Sequence, residues 1–300
     1  MAVFRLIRWP NLLVVALAQW LAGRQVLAIS LEGAGFSPAL TTLELWLLIM
    51  ATVCITAAGY AINDLYDRPI DRINRPDKVI VGRLLSVGTA RWVVAATGLS
   101  GFLFSLGLAL VKGELEWLWL YPLLGILLAI YPLHLKTRPF AGNIFIAISC
   151  AGTVGLVWLA ERGGWHQLPV ANRLATALTL SLFMWYAFLA TWIREIAKDL
   201  QDMEGDYHQH RRTLPLTYGI GKSKGIIYLL SALLAMGIIG GGIGKQGTSP
   251  LLLATVALLL VWILYMSWLL LRAQSSEHYR MISRHWKFFL LGGLWWLYWF

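Results

Sequence analysis

Apolar runs of about 20 residues, the length that crosses a bilayer as a helix, recur along this chain, and nothing else narrows its fold as much. Backbone amides in lipid find no water, so each segment must satisfy them internally, and a helical bundle follows. The runs fall at 10–30, 42–62, 88–111, 117–133, 140–160, 173–193, 225–243, 250–271 and 288–300. The last has 13 residues and either packs inside the bundle or begins earlier, near Ile282. Glycines 240–242 are expected to soften the end of the seventh. With 58% hydrophobic residues, an ordinary soluble globule is excluded. The expectation is an all-α polytopic membrane bundle of nine helices, residues 1–300 forming one domain.

Charge sets the orientation. Taking the N-terminus as inside places 20 of the 25 lysines and arginines on one face. Only Arg24, Lys112, Arg162, Arg173 and Lys245 fall on the other. The bias predicts a cytoplasmic membrane protein with its N-terminus inside and Phe300 outside. The net charge of +10 is scattered through short loops, which fits anionic headgroups and argues against nucleic acid. The first run lacks a small-residue cleavage site and reads as a retained helix. Cys54 and Cys150 lie inside apolar runs and read as buried core, with no disulfide. Trp117, Trp119, Trp295, Trp296 and Trp299 sit at run ends, as an interfacial belt does.

All seven aspartates fall in two stretches. Asp64, Asp67, Asp71 and Asp77 lie in NDLYDRPIDRINRPDK, residues 63–78; Asp199, Asp202 and Asp206 lie in REIAKDLQDMEGD, residues 194–206. Carboxylates beside hydrocarbon are costly and need a cause. On a helix Asn63, Asp67 and Asp71 drift about 40° per step and share a face, as do Asp199, Asp202 and Asp206. Pro69 and Pro76 limit any helix there, which weakens the argument at Asp71. Oxygen ligands of that number suit Mg2+, which keeps several waters and is shared with phosphates. The pair of motifs reads as two Mg2+ sites bracketing a diphosphate. Both stretches lie on the face with the basic loops. Arg72, Lys78, Lys136, Arg138, Arg194 and Lys198 could grip diphosphate oxygens or serve topology alone. Asp64 points about 100° off the shared face, as a further ligand or as an orienter of the basic loop. Glu195 and Glu204 read as salt-bridge partners, and His208 and His210 as solvated loop residues.

The pattern NDxxDxxxD after the second run, with KDxxDxxGD after the sixth, resembles the UbiA superfamily of intramembrane prenyltransferases. The segment from Tyr131 through Lys136 to Gly142 and Asn143 agrees. The resemblance implies a central cavity and Mg2+-dependent transfer of an isoprenyl group from its diphosphate to a lipophilic acceptor. It makes Asp67, Asp71, Asp202 and Asp206 catalytic, and favours Lys136 and Lys198 for the diphosphate. The stretches INRPDKVIVGR and IREIAKDLQDMEGDYHQHRRTLPLTYG are most similar to the branch that makes digeranylgeranylglyceryl phosphate. That branch implies geranylgeranyl diphosphate and geranylgeranylglyceryl phosphate as partners. Asn11, Arg83, Tyr131, Asn143 and Arg212 are its candidate acceptor contacts, with topology the favoured role for Arg5 and Arg8. An aromatic acceptor is the alternative. A cation-coupled transporter would carry its carboxylates mid-span. A CDP-alcohol phosphotransferase would carry a DGxxAR run, which is missing.

Overall fold

The computed structural model describes residues 1–243 and 249–298; Lys245, Trp299 and Phe300, invoked above, lie outside the described residues. The described residues are helical and carry no β-strand. We number the long helices α1 (Trp9–Gly33), α2 (Thr42–Tyr66), α3 (Val87–Lys112), α4 (Glu116–Leu135), α5 (Ala141–Ala160), α6 (Val170–Gln201), α7 (Ile220–Ile243), α8 (Pro250–Arg272) and α9 (Ser276–Tyr298). Among the described residues, α1 to α8 are long and apolar enough to cross a membrane.

Local chemistry fixes several helix ends. Thr41 accepts from the Glu44 amide at 3.2 Å while the Glu44 carboxylate accepts from the Thr41 amide at 2.7 Å, a capping box that starts α2. Ser86 and Ser249 cap α3 and α8 more simply, each side chain accepting from a backbone amide, of Thr89 and of Leu252. Gly113, at φ 70°, ends α3 in the left-handed conformation that glycine adopts without strain. Two long helices contain π-helical turns: Ala22–Ala28 within α1 and Tyr131–Leu135 at the end of α4.

The chain divides into two compact units. The first comprises Met1–Trp20, Leu40–Arg138 and Glu204–Arg211; the second comprises Leu21–Ala39, Pro139–Met203 and Arg212–Phe300. In the first, α2 packs on α3 and α4. Gly101 lets α3 approach: a Cβ there would meet Ile55 of α2 at 2.7 Å. Inside, Gln19 donates to Thr52 Oγ1 at 3.0 Å, Thr52 pairs with the Tyr121 hydroxyl at 2.8 Å, and that hydroxyl donates to the Leu48 carbonyl.

In the second unit α6 is central and touches α5, α7 and α9. Tyr186 stacks on Phe289 at 5.2 Å and its hydroxyl donates to the Phe289 carbonyl at 2.5 Å.

Four expectations need correction. Helix α9 begins at Ser276, ahead of Ile282, because Tyr279, Ile282, Ser283, Trp286 and Phe289 form a buried face at three- and four-residue spacing. With Arg280, Arg284 and Lys287 on that helix, it does not read as an apolar span. The glycines at the end of α7 keep helix through Ile243, since Gly241 and Gly242 admit Trp296 and Val256. Trp117 and Trp296 are core, whereas Trp119 and Trp295 are exposed. Cys54 and Cys150, expected as buried core, are only partly buried.

Candidate active site

Motif one begins inside α2 and outlasts it. Proline at position 69 cannot donate an amide, and α2 stops at Tyr66; a short helix, Arg68–Asn74, takes over with Pro69 in its first turn. Asp67 is the joint. Its amide donates to the Asn63 carbonyl at 2.8 Å, and the Asp71 amide donates to the Asp67 carbonyl at 2.8 Å. The i, i+4 register therefore survives the break, and Asn63 Nδ2 donates to Asp67 Oδ2 at 2.6 Å.

Asp67 is buried, with 6% of its surface exposed, and cations reach both its oxygens. Lys136 Nζ pairs with Oδ2 and also reaches Asn63 Oδ1 at 3.2 Å. The π turn delivers it: the Lys136 amide donates to the Tyr131 carbonyl, five residues back, at 2.9 Å. One extra residue in that turn rotates the helix end relative to a regular α-helix. Arg211 Nη2 meets Asp67 Oδ1 at 3.0 Å, and its Nη1 lies 3.8 Å from Asp206 Oδ1. The segment Glu204–Arg211 thus brings the end of motif two beside motif one, within the first unit. Gly205 permits the approach: its amide donates to Asn74 Oδ1 at 2.9 Å, and a Cβ would meet that side chain at 2.5 Å.

The two motif-one carboxylates are electrically unequal. Burial pushes the Asp67 carboxyl up, but Lys136 and Arg211 outweigh it and hold it at about 2. Burial, then the charges of Asp67 and Asp64, push Asp71 up to about 6, against the opposing pull of Arg75 and Lys136. Asp71 thus sits in a field that favours an added positive charge. Asp64 pairs with Arg8 rather than with the basic loop: Arg8, at φ 53°, reaches it at 2.7 Å and lies 4.9 Å above the Tyr60 ring.

In the second unit, Asp199 accepts from Asn143 Nδ2 at 2.8 Å. Asp202 ends α6 and accepts from Gln201 at 3.0 Å. Glu195, 6% exposed, accepts from Lys198 at 2.7 Å and from Arg194 at 3.1 Å. Among the described residues no three His, Cys, Asp or Glu side chains come close enough to hold a metal by themselves. The donor set still fits Mg2+, whose remaining positions are commonly water and substrate phosphate.

A model of the family described as UbiA prenyltransferase matches residues 10–293. The chain belongs to the UbiA prenyltransferase family. It is similar to a digeranylgeranylglyceryl phosphate synthase of Thermococcus kodakarensis, 32% identical over 252 residues, 83% of this chain and 81% of the relative. Its fold is similar to a solved digeranylgeranylglyceryl phosphate synthase, with TM-score 0.64, 22% identity, and 99% and 96% of the two chains covered. It is also similar to a UbiA homologue from Archaeoglobus fulgidus bound to DMAPP and Mg2+, with TM-score 0.57, 17% identity and 98% of each chain covered.

Set against the expectations, this prenyltransferase brings Asn63, Asp67, Asp206 and Lys136 together. Asp199, Asp202, Arg194 and Lys198 belong to the second unit. Arg72, Arg138 and Arg212 are exposed, and the side chain of Lys78 lies outside the described residues. Arg83 braces its own loop through the Pro76 carbonyl at 3.1 Å and Asp77 at 4.0 Å. Tyr131 is buried, Asn11 reaches the Tyr60 hydroxyl at 3.4 Å, and Asn143 serves Asp199. His208 and His210 are exposed, as expected. Reading the sequence missed Arg211 and Asn74. The Arg-Arg pair after motif two was the available signal, and it pointed equally to both of its members.

Proposed function

We propose that the chain transfers a geranylgeranyl group, in an Mg2+-dependent reaction, from its diphosphate to the hydroxyl of geranylgeranylglyceryl phosphate in ether-lipid synthesis. The observation that carries this is the charge arrangement of motif one: two cations on Asp67 beside Asp71, whose carboxyl burial and the neighbouring aspartates push up to about 6. A diphosphate with its metal needs both signs in one place. The acceptor rests on the likeness to relatives named for that product.

Asn63, Asp67 and Asp71 would hold the metal at motif one, and Asp199, Asp202 and Asp206 at motif two. A bound Mg2+ supplies neutralising charge for the departing diphosphate. Lys136 and Arg211 donate to its oxygens, with Arg72, Lys78 and Arg138 in the adjoining loops. The hydroxyl oxygen bonds to C1 as the C1–O bond to the diphosphate breaks, and the proton leaves with the diphosphate. Asp64 stays with Arg8 and fixes the start of α1. An apolar, aromatic-lined cavity would shield the allylic carbon from water. The distribution of basic residues supports an inward-facing site in the cytoplasmic membrane, with the C-terminus outside.

The test incubates purified protein with Mg2+, geranylgeranyl diphosphate and geranylgeranylglyceryl phosphate, then extracts lipids. A more apolar phospholipid is expected. Prenylated 4-hydroxybenzoate in a parallel reaction, with no such phospholipid, would move the acceptor to the aromatic class.

A further inference from the structure

We propose that the seam between α8 and α9, at its Arg272 end, is a docking site for an anionic membrane phospholipid. From Arg272 to Lys287 the sequence sets four cations, Arg272, Arg280, Arg284 and Lys287, against one carboxylate, Glu277. Arg280 and Arg284 stand about one turn apart on α9, a spacing at which like charges repel. Arg272 and Arg284 are both exposed, and among the described residues neither makes a hydrogen bond or an ion pair. An anion from outside the protein would relieve this excess.

Aromatic rings give the site its shape. The Arg272 guanidinium lies 4.3 Å from the centroid of the Trp268 ring. That contact holds the cation in place and uses none of its N–H donors, which remain for phosphate oxygens. Trp268 stacks with Tyr265 at 6.2 Å, and Tyr265 meets His285 of α9 edge-on at 5.6 Å. The row of rings therefore crosses from one helix to the other. Trp268 and Tyr265 keep 46% and 44% exposure, so the row lies open beside the charges.

Depth selects a lipid over a soluble anion. Helix α8 is long and apolar enough to cross the membrane, and it ends at Arg272. Tyr265 lies seven residues inside that end, about 10 Å along the axis, and fixes the level of His285 and of its neighbour Arg284. Arg284 thus stands near the boundary of headgroups and hydrocarbon, from which a long basic side chain reaches back to the polar layer. A phosphodiester in that layer meets Arg272 and Arg284 together, while its chains lie along Trp268 and Tyr265. Basic pockets between membrane helices take headgroups of this kind. A second copy of this chain, docked symmetrically here, would bring the same cations face to face.

The test reconstitutes the full chain into phosphatidylcholine vesicles that carry the same small fraction of either dibrominated phosphatidylglycerol or dibrominated phosphatidylcholine. Bromine quenches indole fluorescence on contact, and the Trp268 signal is taken in each background as the difference from its W268F counterpart. Affinity at Trp268 is expected to be about 5- to 30-fold higher for the anionic lipid, the scale for one to two basic side chains at a membrane surface. R284Q should lose part of that preference and R272Q/R284Q nearly all of it. R91Q removes an exposed arginine of α3 and should keep it. Equal quenching by the two lipids, or a preference that survives R272Q/R284Q, overturns the site. A preference lost as fully in R91Q overturns it too, because it then reports only the charge of the whole protein. Trp268 left unquenched by either lipid would mean that a protein surface, a second copy included, covers the seam, and the lipid site falls.

Discussion

At the scale of residues, the chemistry turns on unequal neighbours. Asp67 is buried with two cations, so removing its charge leaves Lys136 and Arg211 facing each other. Replacing Asp67 with Asn is expected to cut turnover at least about 100-fold, the scale of losing a group that positions transition-state charge. It should also lower the melting temperature, because an uncompensated buried charge is destabilising. Asp67 sits below its unfolded value, so its contribution to stability is present above about pH 4 and disappears as pH falls toward 2. Asp71 has the opposite sign: with its carboxyl at about 6, ionisation costs stability as pH rises through that value. A divalent cation relieves that cost. The Mg2+-induced rise in melting temperature should therefore be larger at pH 7.5 than at pH 5. In Asp71→Asn that pH dependence should flatten. An equal rise at both values would remove Asp71 from the metal site.

At the scale of elements, close contacts decide what moves. Gly205 lies against Asn74, and Gly205→Ala would push Glu204–Arg211 away, carrying Arg211 off Asp67. Activity is expected to fall more than about 10-fold with little change in expression, while the distant helices keep their thermal signature. Gly293 is a contrasting case. A Cβ there would strike the ring of Tyr186, so Gly293→Ala should destabilise the second unit by about 1–3 kcal/mol, read as a lower melting temperature. The helices themselves were legible in the sequence, because a 20-residue apolar run has one low-energy solution in lipid. The α9 start at Ser276 was less so, since its buried face is interleaved with Arg280, Arg284 and Lys287. The motif-one register was legible from spacing alone, and it persists through the Asp67 joint. What spacing could not show is which partner each carboxylate takes. Asn143 and Asp199 are 56 residues apart, and Asp67 and Arg211 are 144 apart. The neighbours Arg211 and Arg212 look alike in the sequence, yet Arg211 pairs with Asp67 while Arg212 is exposed. The π turn that aims Lys136 has no pattern a sequence reader could use.

At the scale of the whole molecule, orientation and metal chemistry are the claims to test. Gln209 is exposed on the Glu204–Arg211 segment. A cysteine placed there should react with a membrane-impermeant maleimide in inside-out vesicles and be protected in right-side-out ones. The reverse would invert the topology and move the site to the outer face. The most direct measurement is diffraction at the manganese edge, from crystals grown with Mn2+ and a non-ionisable thio-analogue of geranylgeranyl diphosphate. An anomalous peak within bonding distance of Asp67 or Asp71 and of the analogue's phosphate oxygens is the expected result. An ordered analogue whose diphosphate lies away from both aspartates, with no manganese beside them, would contradict the account.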